Sequence, residues 1–187
     1  MNRLCLFATL VVALAAPAFA QTDASRVPTD APEWLPMSEA IAKAKAEDKL
    51  LLIHTYAVWC GWCARMDQEV YTDDAVQAYI GEHFVGTRMD LESEEVVPFF
   101  EHTASMAALG NAFGVTGTPT TVFVDPSGEL ITKLPGFADA ETFGYALRYV
   151  HEGTYATMGF RQYVDQQRGV AMPALPQAAP DVRVTGG

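Results

Sequence analysis

The chain reads as an α/β protein, a mixed sandwich in which strands are first joined through helices and then closed by a β-hairpin and a helix. Three observations predict this. Leu50-Leu51-Leu52-Ile53 is a short, continuous apolar run, the mark of a strand buried on both faces. Helical sequence lies on either side of it. Beyond residue 119 the pattern becomes a hairpin: β-rich residues 120–125, a Pro126-Ser127-Gly128 turn and a second β segment over 129–134.

The elements follow in order. Residues 1–20 have a signal-peptide pattern. Asn2-Arg3 gives a positive start, residues 4–16 are almost wholly apolar, and Ala18-Phe19-Ala20 is a small-x-small cleavage site. The apolar stretch falls short of the ~20 residues that span a bilayer. The expectation is therefore cleavage after Ala20 and export to the periplasm or beyond, with an uncleaved anchor as the alternative. Residues 21–33 are polar and read as a linker. Residues 37–48 look helical, with Ser38 as candidate N-cap. The apolar run then extends as a strand to Tyr56. Helical sequence covers residues 64–70, Asp73 or Asp74 caps a further helix through Ile80, and residues 84–91 read as a strand. Residues 94–113 read as mostly helical, broken around Glu101-His102-Thr103. After the hairpin Gly136 breaks the pattern, and Asp139 opens a helix ending near Val150. These segments divide the chain into a domain over 34–152, a short amphipathic helical extension over 153–168, and a Pro/Ala/Gly-rich tail over 169–187 that reads as disordered.

Net charge is −11 for the 187 residues. This acidity argues against nucleic acid or anionic lipid as a partner. No later segment is long and apolar enough for stable membrane insertion. Removing the first 20 residues takes Cys5 away and leaves two cysteines, Cys60 and Cys63, in Trp59-Cys60-Gly61-Trp62-Cys63. A disulfide closing so small a loop removes little unfolded-state entropy, so the pair points to chemistry rather than stapling. Redox exchange and soft-metal binding both remain open to two thiolates. A closed zinc site wants four ligands, and no second CxxC accompanies this one.

The residues 51–63, Phe113-Gly114-Val115-Thr116-Gly117-Thr118-Pro119-Thr120 and Val122-Phe123-Val124-Asp125-Pro126-Ser127-Gly128 resemble the thioredoxin superfamily. The resemblance covers roughly residues 34–152. Met66-Asp67, Thr72-Asp73-Asp74-Ala75-Val76, Phe84-Val85 and Asp90 resemble one branch: secreted thioredoxin-like proteins akin to the C-terminal domain of bacterial membrane reductant transporters. The resemblance implies a thioredoxin fold, with a central mixed β-sheet flanked by helices. It implies Cys60 as an exposed attacking thiol, Cys63 as the resolving thiol, and a cis Pro119 preceded by Thr118, whose backbone offers hydrogen bonds to substrate. Physical chemistry agrees: a helix N-terminus favours a thiolate at Cys60, and Cys63 lies three residues on, within closing distance. Trp59 reads as part collar, part core, and Trp62 as a surface docking residue.

Two departures from thioredoxin itself matter. Gly61-Trp62 replaces Gly-Pro between the cysteines, so a redox potential does not carry over. Six residues before Cys60, many thioredoxins have a buried Asp that helps deprotonate the resolving thiol; here His54 stands there. His54 has two readings, a neutral base or a core histidine satisfied by one backbone bond. Asp67, four residues after Cys63, is its rival as a proton relay, or else an exposed helix acid. His83, His102 and His151 read as surface residues.

The function expected from this resemblance is an extracytoplasmic thiol–disulfide oxidoreductase that reduces disulfides of exported proteins through a Cys60–Cys63 cycle. Thr118 before Pro119 resembles reductases more than strong oxidants. No cofactor or metal beyond the redox-active disulfide is expected. The partners would be exported proteins with thiols or disulfides and an upstream membrane or periplasmic electron donor. The alternatives are a copper or zinc binding protein and a non-catalytic thioredoxin-like interaction module.

Overall fold

A computed structural model of the chain describes residues 32–169. The expected signal peptide, most of the linker and nearly all of the expected tail lie outside the described residues. The elements are β1 (Trp34–Leu35), α1 (Met37–Glu47), β2 (Leu50–Tyr56), α2 (Gly61–Glu69), α3 (Asp74–His83), β3 (Phe84–Asp90), β4 (Val96–Phe99), β5 (His102–Ser105), α4 (Met106–Ala112), β6 (Thr120–Val124), β7 (Leu130–Pro135), α5 (Ala140–His151) and α6 (Phe160–Gly169), with a 3-10 turn at Thr154–Ala156. Among the described residues no helix is long and apolar enough to cross a membrane.

Five strands form one mixed sheet in the order β1-β3-β2-β6-β7. β1, β3 and β2 run parallel, while β6 runs antiparallel to β2 and β7 antiparallel to β6. β2 lies in the middle, which is why its sequence is apolar on both faces: Leu51, Leu52 and Ile53 have no exposed surface. Side chains alternate along it. Leu51 and Ile53 enter a core with α1, α4 and β4, whereas Leu52 enters a second core with Met66, Val70, Ile80, Phe143 and Leu147 from α2, α3 and α5. His54 and Tyr56 have the parity of Leu52, so they face the side that carries α2.

Several boundaries depart from expectation. Residues 94–113 are not mostly helical. β4 and β5 pair antiparallel as a separate two-stranded sheet, and only Met106–Ala112 is helix. The reason is visible in Val96-Val97-Pro98-Phe99. Val97 and Phe99 are buried while Val96 and Pro98 face out, a period of two that a helix does not support. Phe100, at φ 52, makes the turn, and Ser105 caps α4 by accepting from the Ala108 N–H. The ring of Phe100 packs where Gly128 turns the closing hairpin. Gly128 has φ 102, and a Cβ there would lie 2.7 Å from Phe100, so both backbone and space call for glycine.

Ser38 is not the N-cap of α1. Pro36 precedes the first turn without a side-chain cap bond, and Ser38 sits inside the helix. α2 starts at Gly61 rather than Ala64, because Cys60 is itself the cap. Asp73, not Asp74, caps α3, accepting from the Ala75 and Val76 N–H groups, and Asp139 caps α5 through the Thr142 N–H. Beyond α5 the chain folds back, so that Tyr163 and Val164 of α6 are buried near Tyr149, whose hydroxyl donates to the Met158 carbonyl at 2.6 Å.

Candidate active site

The two cysteines form a disulfide with Cα atoms 5.3 Å apart at the junction of β2 and α2. Cys60 is N-cap in extended conformation, and its Sγ accepts the Cys63 N–H at 3.1 Å. That amide and the positive end of the helix would equally hold a thiolate once the bond is reduced. The pair packs with Ala57 and Tyr56. Cys60 is only 6% exposed in this disulfide form and Cys63 2%. The expectation of an exposed Cys60 is thus corrected: the residue is almost wholly buried in the disulfide form, packed with Ala57, Cys63 and Tyr56.

Around the pair the surface is apolar. Trp59 is 73% exposed and Trp62 55%, with Val58 between β2 and Trp59 also exposed. Trp59 is therefore collar and not core, although its Nε1–H donates to Glu92 Oε1 at 2.9 Å and so fixes the indole. Trp62 leans on Phe137, ring centroids 5.4 Å apart, and the Arg65 guanidinium lies over both rings. The Thr118-Pro119 bond is cis. It sits at the sheet end reached by Tyr56, because Thr55 of β2 pairs with Thr120 of β6. The Pro119 carbonyl accepts the Gly136 N–H at 2.8 Å. Phe137, next in the chain, thus links the Pro119 turn to Trp62.

Behind the disulfide is a buried polar layer. His54 is completely buried, with Nδ1 3.1 Å from the Tyr71 hydroxyl and Nε2 without a hydrogen-bond partner among the described residues. Burial, aided by the Arg88 charge, pushes its pKa down to about 3. It is neutral at physiological pH and a poor proton acceptor. As a core histidine it is satisfied by a tyrosine side chain, not by the backbone bond anticipated. Asp67 is not an exposed helix acid. It is 3% exposed, and its Oδ2 accepts from Arg88 Nη2 at 2.9 Å, leaving Oδ1 without a donor among the described residues. Burial raises its pKa and Arg88 pulls it back only in part. Of the remaining histidines, His102 is exposed, while His83 and His151 stack with centroids 3.8 Å apart at the ends of α3 and α5, remote in the fold from the cysteines.

Arg88, Tyr56, Phe137 and Glu92 are the site residues that sequence reasoning passed over. Arg88 carried a signal, a guanidinium within a strand next to the central one. The others gave none, because tertiary contacts alone bring them to the cysteines. Among the described residues no group of three or more His, Cys, Asp or Glu side chains is arranged to hold a metal.

The thioredoxin-like domain family matches residues 37–151. The chain is 32% identical over 111 residues to the thiol:disulfide interchange protein DsbD of Yersinia pestis, covering 58% of this chain and 17% of that protein. It is 25% identical over 103 residues to the disulfide bond reductase DsbH of Chlamydia pneumoniae, covering 54% of this chain and 61% of that one. Both matches span less than two thirds of the relative. A thioredoxin structure from Thermus thermophilus superposes with a TM-score of 0.53 at 28% identity, covering 64% of this chain and 87% of that one. With its central mixed sheet, its cysteine pair at the first turn of α2 and this match over most of the described residues, the chain belongs to the thioredoxin-like domain family.

Proposed function

We propose that the protein is an extracytoplasmic thiol–disulfide reductase acting on disulfides of exported proteins. The observation that carries this reading is the Cys60–Cys63 disulfide at the α2 N-terminus, ringed by exposed indoles and set at the same sheet end as Thr118-Pro119. In the reduced protein Cys60, favoured as thiolate by the helix end, attacks a partner disulfide. A Cys60–partner bond forms and one partner sulfur leaves. Cys63 then attacks the Cys60 sulfur, the Cys60–Cys63 bond forms, and the second partner sulfur departs with the electron pair. Two electrons pass to the partner, and an upstream donor restores the dithiol. Trp59, Trp62 and Phe137 supply the apolar contact, and the Thr118 backbone the hydrogen bonds, that hold the partner chain. Asp67 is a better proton acceptor for Cys63 than His54, whose burial keeps it neutral and weakly basic. The names of the DsbD and DsbH relatives support reduction and interchange as the direction of flow.

The test is partner capture and potential. Cys63→Ser should accumulate mixed disulfides through Cys60 with exported proteins. The wild-type reduction potential should lie low enough to reduce a typical protein disulfide. Absence of any mixed disulfide, together with no reduction of protein disulfides by the dithiol form, would refute the assignment. Stoichiometric copper or zinc retained by the dithiol would favour the metal-binding alternative.

A further inference from the structure

Arg88 stands on β3 directly across from His54, in the middle of the sheet and on the strand flanking the central one. Its side chain is 16% exposed. The guanidinium does two things at once. Nη2 donates to Asp67 Oδ2, and Cζ lies 4.5 Å from the centre of the Tyr56 ring, which packs against the disulfide. Asp67 follows Cys63 by one helical turn, and both are buried on the inner face of α2.

We infer that Arg88 is a positioning residue for the resolving step of exchange, holding the Asp67 carboxylate ionised and in place one turn from Cys63. This rests on the exchange reading proposed above. As Cys63 attacks the mixed disulfide, its S–H proton passes to the carboxylate, directly or through solvent. The Cys60–Cys63 bond forms and the partner sulfur leaves with the bonding electrons. The carboxylate later returns its proton to solvent.

The surroundings assign this duty to Arg88. Tyr56 on β2 and Tyr71 after α2 both face the pair, and burial keeps both phenols protonated. His54 borders Arg88 and stays neutral. Asp90 and Glu95 bear on Tyr56 with negative charge, which does nothing to hold a second carboxylate ionised. Arg88 is therefore the one cation paired with Asp67 among the described residues. Without it, desolvation acts on the carboxyl unopposed and the acid form persists to higher pH. A protonated Asp67 has no room for the Cys63 proton.

The experiment uses the full chain with Arg88→Met, Arg88→Lys, Asp67→Asn and the Arg88→Met/Asp67→Asn pair. The last removes both charges and guards against loss of fold through one unpaired buried ion. The carboxyl carbon of Asp67 is titrated by NMR in the oxidised protein. The reduced protein is mixed with an aromatic disulfide that releases a coloured thiol, once when Cys60 attacks and again when Cys63 resolves. Arg88→Met is expected to move the Asp67 titration up by about 1–3 pH units. It should also displace the acid limb of the second colour phase by the same amount, with the first phase much less affected. Arg88→Lys should restore most of both. In the Asp67→Asn background Arg88→Met should change the second phase by less than twofold. An unmoved Asp67 titration, or an equal slowing in the Asp67→Asn background, overturns the inference. A missing first phase in the wild-type protein would instead refute the exchange reading, and leaves the titration measurable.

Discussion

His54 predicts a specific acid sensitivity of the fold. A histidine in an unfolded chain takes up a proton near pH 6.5, whereas in the folded protein burial delays this to about pH 3. Between those values the unfolded state binds one more proton than the native state. The sign follows: the stabilising contribution is complete above pH 6.5 and is lost progressively as pH falls towards 3. The slope is about 1.4 kcal/mol per pH unit, so acidification from 6.5 to 4.5 removes about 2–3 kcal/mol. That is a large share of a typical stability of ~5–15 kcal/mol. Carboxylates have their own slopes, so the comparison is with His54→Gln. Its amide can still meet the Tyr71 hydroxyl but does not titrate. Urea unfolding at pH 7, 6, 5 and 4.5 should show the wild-type midpoint falling further than that of the variant, by about 1–2 M at ordinary slopes. Parallel pH dependence in the two proteins would refute the reasoning and mean that the folded chain protonates His54 without unfolding.

Other perturbations test other parts of the architecture. Trp62→Ala removes the indole seated on Phe137, and kcat/KM for a protein disulfide should fall about tenfold, well beyond any loss against a small disulfide, as steady-state kinetics with both substrates would reveal. Lys133 on β7 donates to the carbonyls of Phe113 and Gly114 at the end of α4; Lys133→Met removes both bonds and should cost about 1 kcal/mol in chemical denaturation, since water reaches the exposed Gly114 carbonyl. Phe143 of α5 is fully buried in the core beside Tyr71. Phe143→Ala should lower stability by about 3–5 kcal/mol, measured as a shift in denaturant midpoint with an unchanged slope.

The parts of the fold that were legible in the sequence are those encoded locally. An apolar run of strand length, an Asp before a helical stretch and a Pro-Ser-Gly turn each act over a few residues, and β2, the caps of α3 and α5 and the closing hairpin follow from them. The β4–β5 hairpin was not read from residues 94–113, because the acidic lead-in and the Ala-rich end resemble helix and obscure the alternation at Val96-Val97-Pro98-Phe99. The site divided in the same way. Cys60, Cys63, Thr118 and Pro119 form motifs along the chain. Asp67 looked like a surface acid because its partner Arg88 lies 21 residues on, on a different element. Phe137 meets Trp62 only through the turn that Gly136 makes against Pro119.

Thr55 draws the two motif segments together. Its hydroxyl donates to the Thr120 carbonyl at 2.8 Å and accepts the Thr120 N–H at 3.1 Å, so one side chain occupies both main-chain groups of the residue after Pro119. Thr55 lies five residues before Cys60. The Thr55–Thr120 rung thus ties the strand that leads to the reacting sulfur to the turn that would receive a partner strand. Trp59 and Phe137 stand outside this rung on loops, and Trp62 stands outside it on the first turn of α2. On the exchange reading proposed above, substitutions at Trp59, Trp62 or Phe137 would change the choice of client and leave the Thr55–Thr120 link in place.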